Sequence, residues 1–140
     1  MIKSTKNVSE VQLGEKLPPL QKMFSVVDLM AYGAATWDWH RLHYDVDFAR
    51  SMNLQSPVID GQAFGALFAR AAMDWAGPQA FIERMSFKMK SMAFSGETLR
   101  IEGKVTEICC QTVSVAQRLT TSDARLVSEA ETKIRLPSSM

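Results

Sequence analysis

Residues 62–76 are almost wholly apolar, interrupted only by Gln62, Arg70 and Asp74. A helix of that composition has no polar face wide enough to lie on a surface, so it must be buried on most sides. The rest of the chain has to supply a wrapper. Arg70 and Asp74 stand four apart and can pair on the strip that stays wet, and Gly77-Pro78 supplies a stop signal. Downstream, Met85, Phe87 and Met89 alternate with Arg84, Ser86, Lys88 and Lys90 in the period-two pattern of a half-buried strand. Leu99, Ile101 and Val105 repeat it, as do Val113, Val115 and Leu119, then Leu126, Ala130, Ile134 and Leu136. Turn-like Ser95-Gly96 and Ser122-Asp123 separate the runs. Four antiparallel strands after one helix predict an α+β fold, a curved antiparallel sheet wrapped round a central apolar helix. No internal repeat, low-complexity segment or flexible linker interrupts the pattern.

Ahead of that helix, residues 1–20 are polar and end in Leu17-Pro18-Pro19-Leu20, which reads as an N-terminal arm with a short strand near Val11 to Leu13. Ser25-Val26-Val27-Asp28 offers a capping box, so a helix is expected from Val26 to Ala35, and a shorter one from Val46 to Met52 before the break at Ser56-Pro57. At 140 residues the chain is expected to form one domain over 1–140. Sixteen Lys and Arg against fifteen Asp and Glu give a net charge of +1, no electrostatic footprint for nucleic acid or an anionic membrane. No apolar run approaches the roughly 18 residues of a membrane span, and Met1 to Asn7 lacks the apolar core of a signal peptide, so a cytoplasmic protein is expected. Cys109 and Cys110 are adjacent, a spacing that fits neither a disulfide framework nor a Cys-x-x-Cys pair, and read as plain strand residues.

The segment from Thr36 to Asp45 packs three aromatics, both histidines of the chain and two carboxylates into ten positions. Any imidazole chemistry must come from His40 or His43, with Asp38, Asp45 and Asp47 the nearby carboxylates. On a regular helix, Asp38 and His43 would point roughly 140° apart, so they meet only if the segment turns. A carboxylate and an imidazole together suit proton transfer beside a carbonyl, such as hydration of a double bond. Two other readings stand beside this one: solvated loop histidines, or a zinc site from Asp38, His40 and His43. Asp60-Gly61 precedes the buried helix, where free N–H groups favour an oxygen gaining negative charge, such as a thioester carbonyl; a tight turn there is the plainer explanation of the glycine. The methionines, Met85, Met89 and Met92 among them, read as core filler by default, although thioethers also suit a pocket for a bulky acyl chain.

From Tyr32 to Asp60-Gly61 and on through the strands, the chain resembles the MaoC-like hydratases and dehydratases of the hotdog fold. The family's aromatic, small residues and Asp-x-Asn-Pro-x-His are matched by Tyr32 through Asp38 to His43, its Pro-apolar-apolar-His-Gly by Pro57-Val58-Ile59-Asp60-Gly61, and its Gly-Asp-Thr-apolar strand start by Gly96-Glu97-Thr98-Leu99. Trp37 stands at a usual Gly, His40 and Arg41 replace Asn and Pro, Asp60 replaces His, and Ala69 falls where some members have Ser. The departures and the later Asp74-Trp75-Ala76-Gly77-Pro78 look more like the small MaoC-like subunits that hydrate steroid side-chain enoyl-CoA esters. The resemblance implies a hotdog domain acting as an enoyl-CoA hydratase or 3-hydroxyacyl-CoA dehydratase. It implies Asp38 and His43 as catalytic pair, and Gly61, His40 and Asp60 on the substrate side. It implies no metal or redox cofactor, coenzyme A entering as part of the acyl-CoA substrate. A homodimer or higher oligomer, or pairing with a second hotdog subunit, is expected. Thioesterase activity and a catalytically weak acyl-thioester-binding subunit are the rival expectations.

Overall fold

The computed structural model describes residues 4–138, so the start of the segment from Met1 to Asn7 lies outside the described residues. Five strands form one antiparallel sheet in the order β1-β3-β4-β5-β2. They are β1 (Leu20–Met23), β2 (Phe81–Met89), β3 (Thr98–Cys109), β4 (Thr112–Thr121) and β5 (Leu126–Arg135). Three helices precede β2: α1 (Val26–Thr36), α2 (Val46–Ser51) and α3 (Gly61–Ala76). The inward residues of β4, such as Val113 and Val115, oppose Ile134 and Thr132 of β5, so one face of the sheet is apolar and packs on α3.

The apolar helix is buried as its composition demands. Its first half carries Phe64, Leu67 and Phe68 into a cluster with Leu99, Ile101, Leu119 and Val127. Its second half carries Ala72, Trp75 and Ala76 against Val105, Val113, Val115, Ile134 and Leu136. Burying side chains of this size is worth about 1.5–3 kcal/mol each. The wet strip is also where expected, with Arg70 Nε 3.6 Å from Asp74 Oδ2, and Gly77 (φ 99°) ends the helix. Gln117, buried in the middle of β4, is satisfied internally: its Nε2 donates to the Phe68 carbonyl at 3.0 Å and its Oε1 accepts from Thr132 Oγ1 at 2.8 Å. A buried amide left unpaired would cost about 1–3 kcal/mol, so this polar residue is tolerable only as part of that network.

Three expectations change. No strand forms at Val11 to Leu13; Val8–Glu10 is a 3-10 turn, and the strand comes later as β1, pairing Leu20 with Ile101 and Met23 with Thr98. The arm instead follows β3 through single bonds, Val105 N–H to the Glu15 carbonyl and Leu17 N–H to the Gly103 carbonyl, both 2.9 Å. Pro18 and Pro19 cannot donate to a ladder, so regular pairing resumes only after them. Val11 and Leu17 are buried under the Trp75 end of α3, and Trp75 Nε1 donates to Glu15 at 2.9 Å, so the arm seals the core. Second, β2 is not evenly half-buried: Met85 packs on the core, whereas Phe87 is 37% and Met89 65% exposed. This strand is the sheet edge and has a neighbour on one side only. Third, Cys109 closes β3 but Cys110 (φ 53°) sits in the hairpin turn, and both thiols are free and exposed. No helix among the described residues is long and apolar enough to cross a membrane.

Candidate active site

The capping box predicted at Ser25 starts α1: the Ser25 hydroxyl accepts from Asp28 N–H, and Asp28 reaches back to the Ser25 N–H at 2.8 Å. That bond holds the Asp28 carboxyl below its ordinary range. The helix stops because Trp37 enters the left-handed region (φ 58°) and Asp38 N–H turns back to the Gly33 carbonyl at 3.0 Å. The reversal needs a glycine, because a Cβ at Gly33 would lie 2.7 Å from the Asp38 carbonyl oxygen.

A 3-10 turn at Arg41–His43 follows. His40 caps it, its Nδ1 accepting from Leu42 N–H at 3.1 Å, while His40 N–H donates to Asp38 Oδ1 at 3.1 Å. Arg41 grips Asp45 Oδ2 through Nε and Nη2 at 2.9 and 2.8 Å, and Asp45 Oδ1 accepts from Phe48 N–H to cap α2. The Phe48 amide first, and Arg41 next, hold the Asp45 carboxyl below its usual range. Asp47 is exposed and lies 3.8 Å from Arg50. Of the three nearby carboxylates, only Asp38 is left facing an imidazole.

The left-handed residue and the 3-10 turn together undo the angular separation a regular helix would impose. His43 Nε2 and Asp38 Oδ2 come to 3.9 Å, both side chains partly buried. The other ring nitrogen of His43 meets the Val58 carbonyl at 2.7 Å. A carbonyl only accepts, so Nδ1 carries the hydrogen and Nε2 faces the carboxylate.

Asp60 is the N-cap of α3: Oδ1 accepts from Gln62 N–H at 2.9 Å, while Oδ2 is buried with no hydrogen-bond partner among the described residues. One ligand atom each from Asp38, His43 and Asp60 lies within 4.8 Å of the others. The Tyr32 hydroxyl on α1 is pushed above its ordinary value by burial, then by the Asp60 charge. Gly61 follows as the first residue of α3. An open cavity of 450 Å³ joins His43, Gly61, Ile59 and Phe64 to Met89 and Met92. A larger groove of 530 Å³ runs across the sheet by Phe87, Gln117 and Glu129 but holds no histidine.

Sequence reasoning therefore reached Asp38, His43, Asp60 and Gly61, and the fold brings them to one place. His40 stands beside them, its ring centre 6.0 Å from that of His43, but its Nδ1 is taken up by the Leu42 N–H. Met89 and Met92, read as core filler, line the cavity mouth instead; the signal was their polar neighbours Lys88, Lys90 and Ser91 at the end of an edge strand and just beyond it.

A curved antiparallel sheet round one buried helix is the hotdog arrangement. The MaoC like domain matches residues 8–125, and the chain belongs to that family. It is 26% identical over 96 residues to the 3-oxo-4,17-pregnadiene-20-carboxyl-CoA hydratase beta subunit of Mycobacterium tuberculosis, covering 69% of this chain and 74% of that one. It is 23% identical over 134 residues to the (R)-specific enoyl-CoA hydratase of Aeromonas caviae, covering 94% and 99%. The unliganded R-hydratase PhaJ1 of Pseudomonas aeruginosa superposes with a TM-score of 0.91 at 21% identity over 96% of this chain and 88% of that one, a likeness of fold.

Proposed function

We propose that this chain is a cytoplasmic enoyl-CoA hydratase, acting in reverse as a 3-hydroxyacyl-CoA dehydratase, with no metal or redox cofactor required. The observation that carries the reading is the approach of Asp38 Oδ2 to His43 Nε2, 3.9 Å apart at the edge of a cavity that Gly61 also lines. That separation is too long for a good direct hydrogen bond and within reach of one water touching both groups. Both atoms accept, so they present two acceptors to the two protons of that water. Attack of its oxygen on the β-carbon moves electrons into the thioester, and the Asp38–His43 pair takes one proton from the water and returns one to the α-carbon. The Gly61 N–H, at the positive end of α3, stabilises the enolate oxygen. Asp60 stands on the substrate side by holding the helix start. The steroid-side-chain hydratase subunit among the relatives favours a bulky acyl group. A second hotdog chain, identical or not, would cover the exposed Met89 and Met92 at the mouth.

Hydration of short, long and steroid-like enoyl-CoA esters by the purified chain, followed by loss of enoyl-thioester absorbance, tests this. Asp38→Asn and His43→Ala should each lower turnover by about 10²–10⁴ with circular dichroism unchanged, general acid–base groups being worth that much. His40→Ala should stay near wild type. Wild-type rates in both pair variants would sink the assignment, and thiol release from saturated acyl-CoA would favour a thioesterase.

A further inference from the structure

We propose that Asp38, His43 and Asp60 form a binding site for a first-row divalent cation of the zinc class, a site beyond the hydratase reading that shares Asp38 and His43 with it. Each of the three side chains is tied by one polar atom to the main chain. Asp38 Oδ1 accepts from His40 N–H at 3.1 Å, His43 Nδ1 donates to the Val58 carbonyl at 2.7 Å, and Asp60 Oδ1 accepts from Gln62 N–H at 2.9 Å. What remains is one free acceptor apiece: Asp38 Oδ2, His43 Nε2 and Asp60 Oδ2. Ligand atoms of the three residues lie within 4.8 Å of one another.

Asp60 is the telling member. It is only 8% exposed, and its Oδ2 is buried without a hydrogen-bond partner among the described residues. A buried carboxylate oxygen in that condition is expensive unless something else meets it. Among the described residues neither Asp38 nor Asp60 pairs with a Lys or Arg; the ion pair Asp38 makes is with His43. One water carries two protons, one fewer than the three acceptors left over. A divalent cation satisfies all three and offsets both carboxylate charges.

The donor set selects the metal class. An imidazole nitrogen with two carboxylates suits zinc and its neighbours better than magnesium or calcium, which prefer oxygen alone. Three protein ligands with an open fourth position is the pattern of a zinc site that still admits water. The bond from His43 Nδ1–H to the Val58 carbonyl is the outer support that metal-ligating histidines use to fix ring and tautomer. Zinc bonds of roughly 2.0–2.2 Å bring tetrahedral ligand atoms to about 3.4 Å, so binding draws the three inward by up to about 1.5 Å. Rotation of the carboxylates supplies that movement. A cation seated there displaces the water between Asp38 and His43, so the site opposes hydration rather than assisting it.

Zinc binding to the purified full chain, stripped with a chelator and titrated against a chromophoric zinc indicator without substrate, tests the proposal. Wild type should take up one zinc per chain. Asp60→Asn and His43→Gln should each weaken binding at least ~10-fold, the lower end of what disturbing metal-supporting groups costs. Asn caps a helix as well as Asp does, so Asp60→Asn keeps its fold, and His43→Gln reads the same site from a different element. His40→Ala and the double variant Cys109→Ser/Cys110→Ser should bind as wild type does. Absence of stoichiometric zinc, unchanged affinity in Asp60→Asn and His43→Gln, or loss of zinc on replacing the two cysteines would overturn it. Because no turnover is read, failure of the hydratase assay and failure of this one are separate results.

Discussion

Trp37 illustrates how one residue sets the reach of the site. It holds the left-handed conformation (φ 58°) that releases the chain from α1, and it is 80% exposed. A side chain in that region costs about 1–2 kcal/mol relative to glycine. Its edge-on contact with Trp39, 6.0 Å between ring centres, returns only part of that at an exposed position. Trp37→Gly should therefore stabilise the protein by about 0.5–1 kcal/mol, a rise in Tm of about 2–4 °C by calorimetry. An unchanged or lower Tm would mean the indole contributes packing beyond that one contact. His40 and His43 make the complementary point. They are equivalent as residue types three positions apart, and only the direction of the 3-10 turn sends one ring to its own backbone and the other to Asp38.

At the scale of elements, two glycines that look alike in sequence behave differently because of what they touch. A Cβ at Gly33 would meet the Asp38 carbonyl oxygen at 2.7 Å, and backbone there cannot yield without moving Asp38. A Cβ at Gly65 would meet Phe87 Cε1 at 2.7 Å, but that ring lies on the exposed edge strand and can swing away. Each Gly→Ala change gains about 1 kcal/mol of helix propensity. Gly33→Ala should still lose about 1–3 kcal/mol of stability, as overpacking does, while Gly65→Ala should be close to neutral; urea midpoints compare them. The corner from Arg41 to α2 carries a pH dependence. The Asp45 carboxyl is held low by the Phe48 amide and by Arg41, so its contribution is fully present above the unfolded value near about 3.9 and is lost as pH falls through the folded value. Asp45→Asn keeps a cap but removes that titration. The wild-type advantage over Asp45→Asn should thus shrink between about pH 5 and about pH 3, and a constant difference would remove Asp45 from the acid response.

For the whole molecule, β2 is the consequential boundary. It closes the order β1-β3-β4-β5-β2 with one side unpaired, and it presents Phe81 and Met89, 57% and 65% exposed. An uncovered apolar edge is a template for pairing with another chain. Light scattering should give twice the 15.6 kDa chain mass, and Phe81→Lys/Met89→Lys should return the monomer; a wild-type monomer at the same concentration would contradict the pairing. The sequence alone determined the central helix, the four later strands, the Ser25 and Gly77 signals and the short list of groups able to move a proton. Those follow from periodicity, capping chemistry and the scarcity of histidine, all local properties. Tertiary structure decided which histidine meets Asp38, that Asp60 buries an oxygen with no hydrogen-bond partner among the described residues, that the arm pairs at Leu20 rather than Val11, and that Met89 lines a cavity mouth. Each depends on the path of a turn or on which strand lies at the edge of the sheet, and those are settled by contacts between residues far apart in the chain.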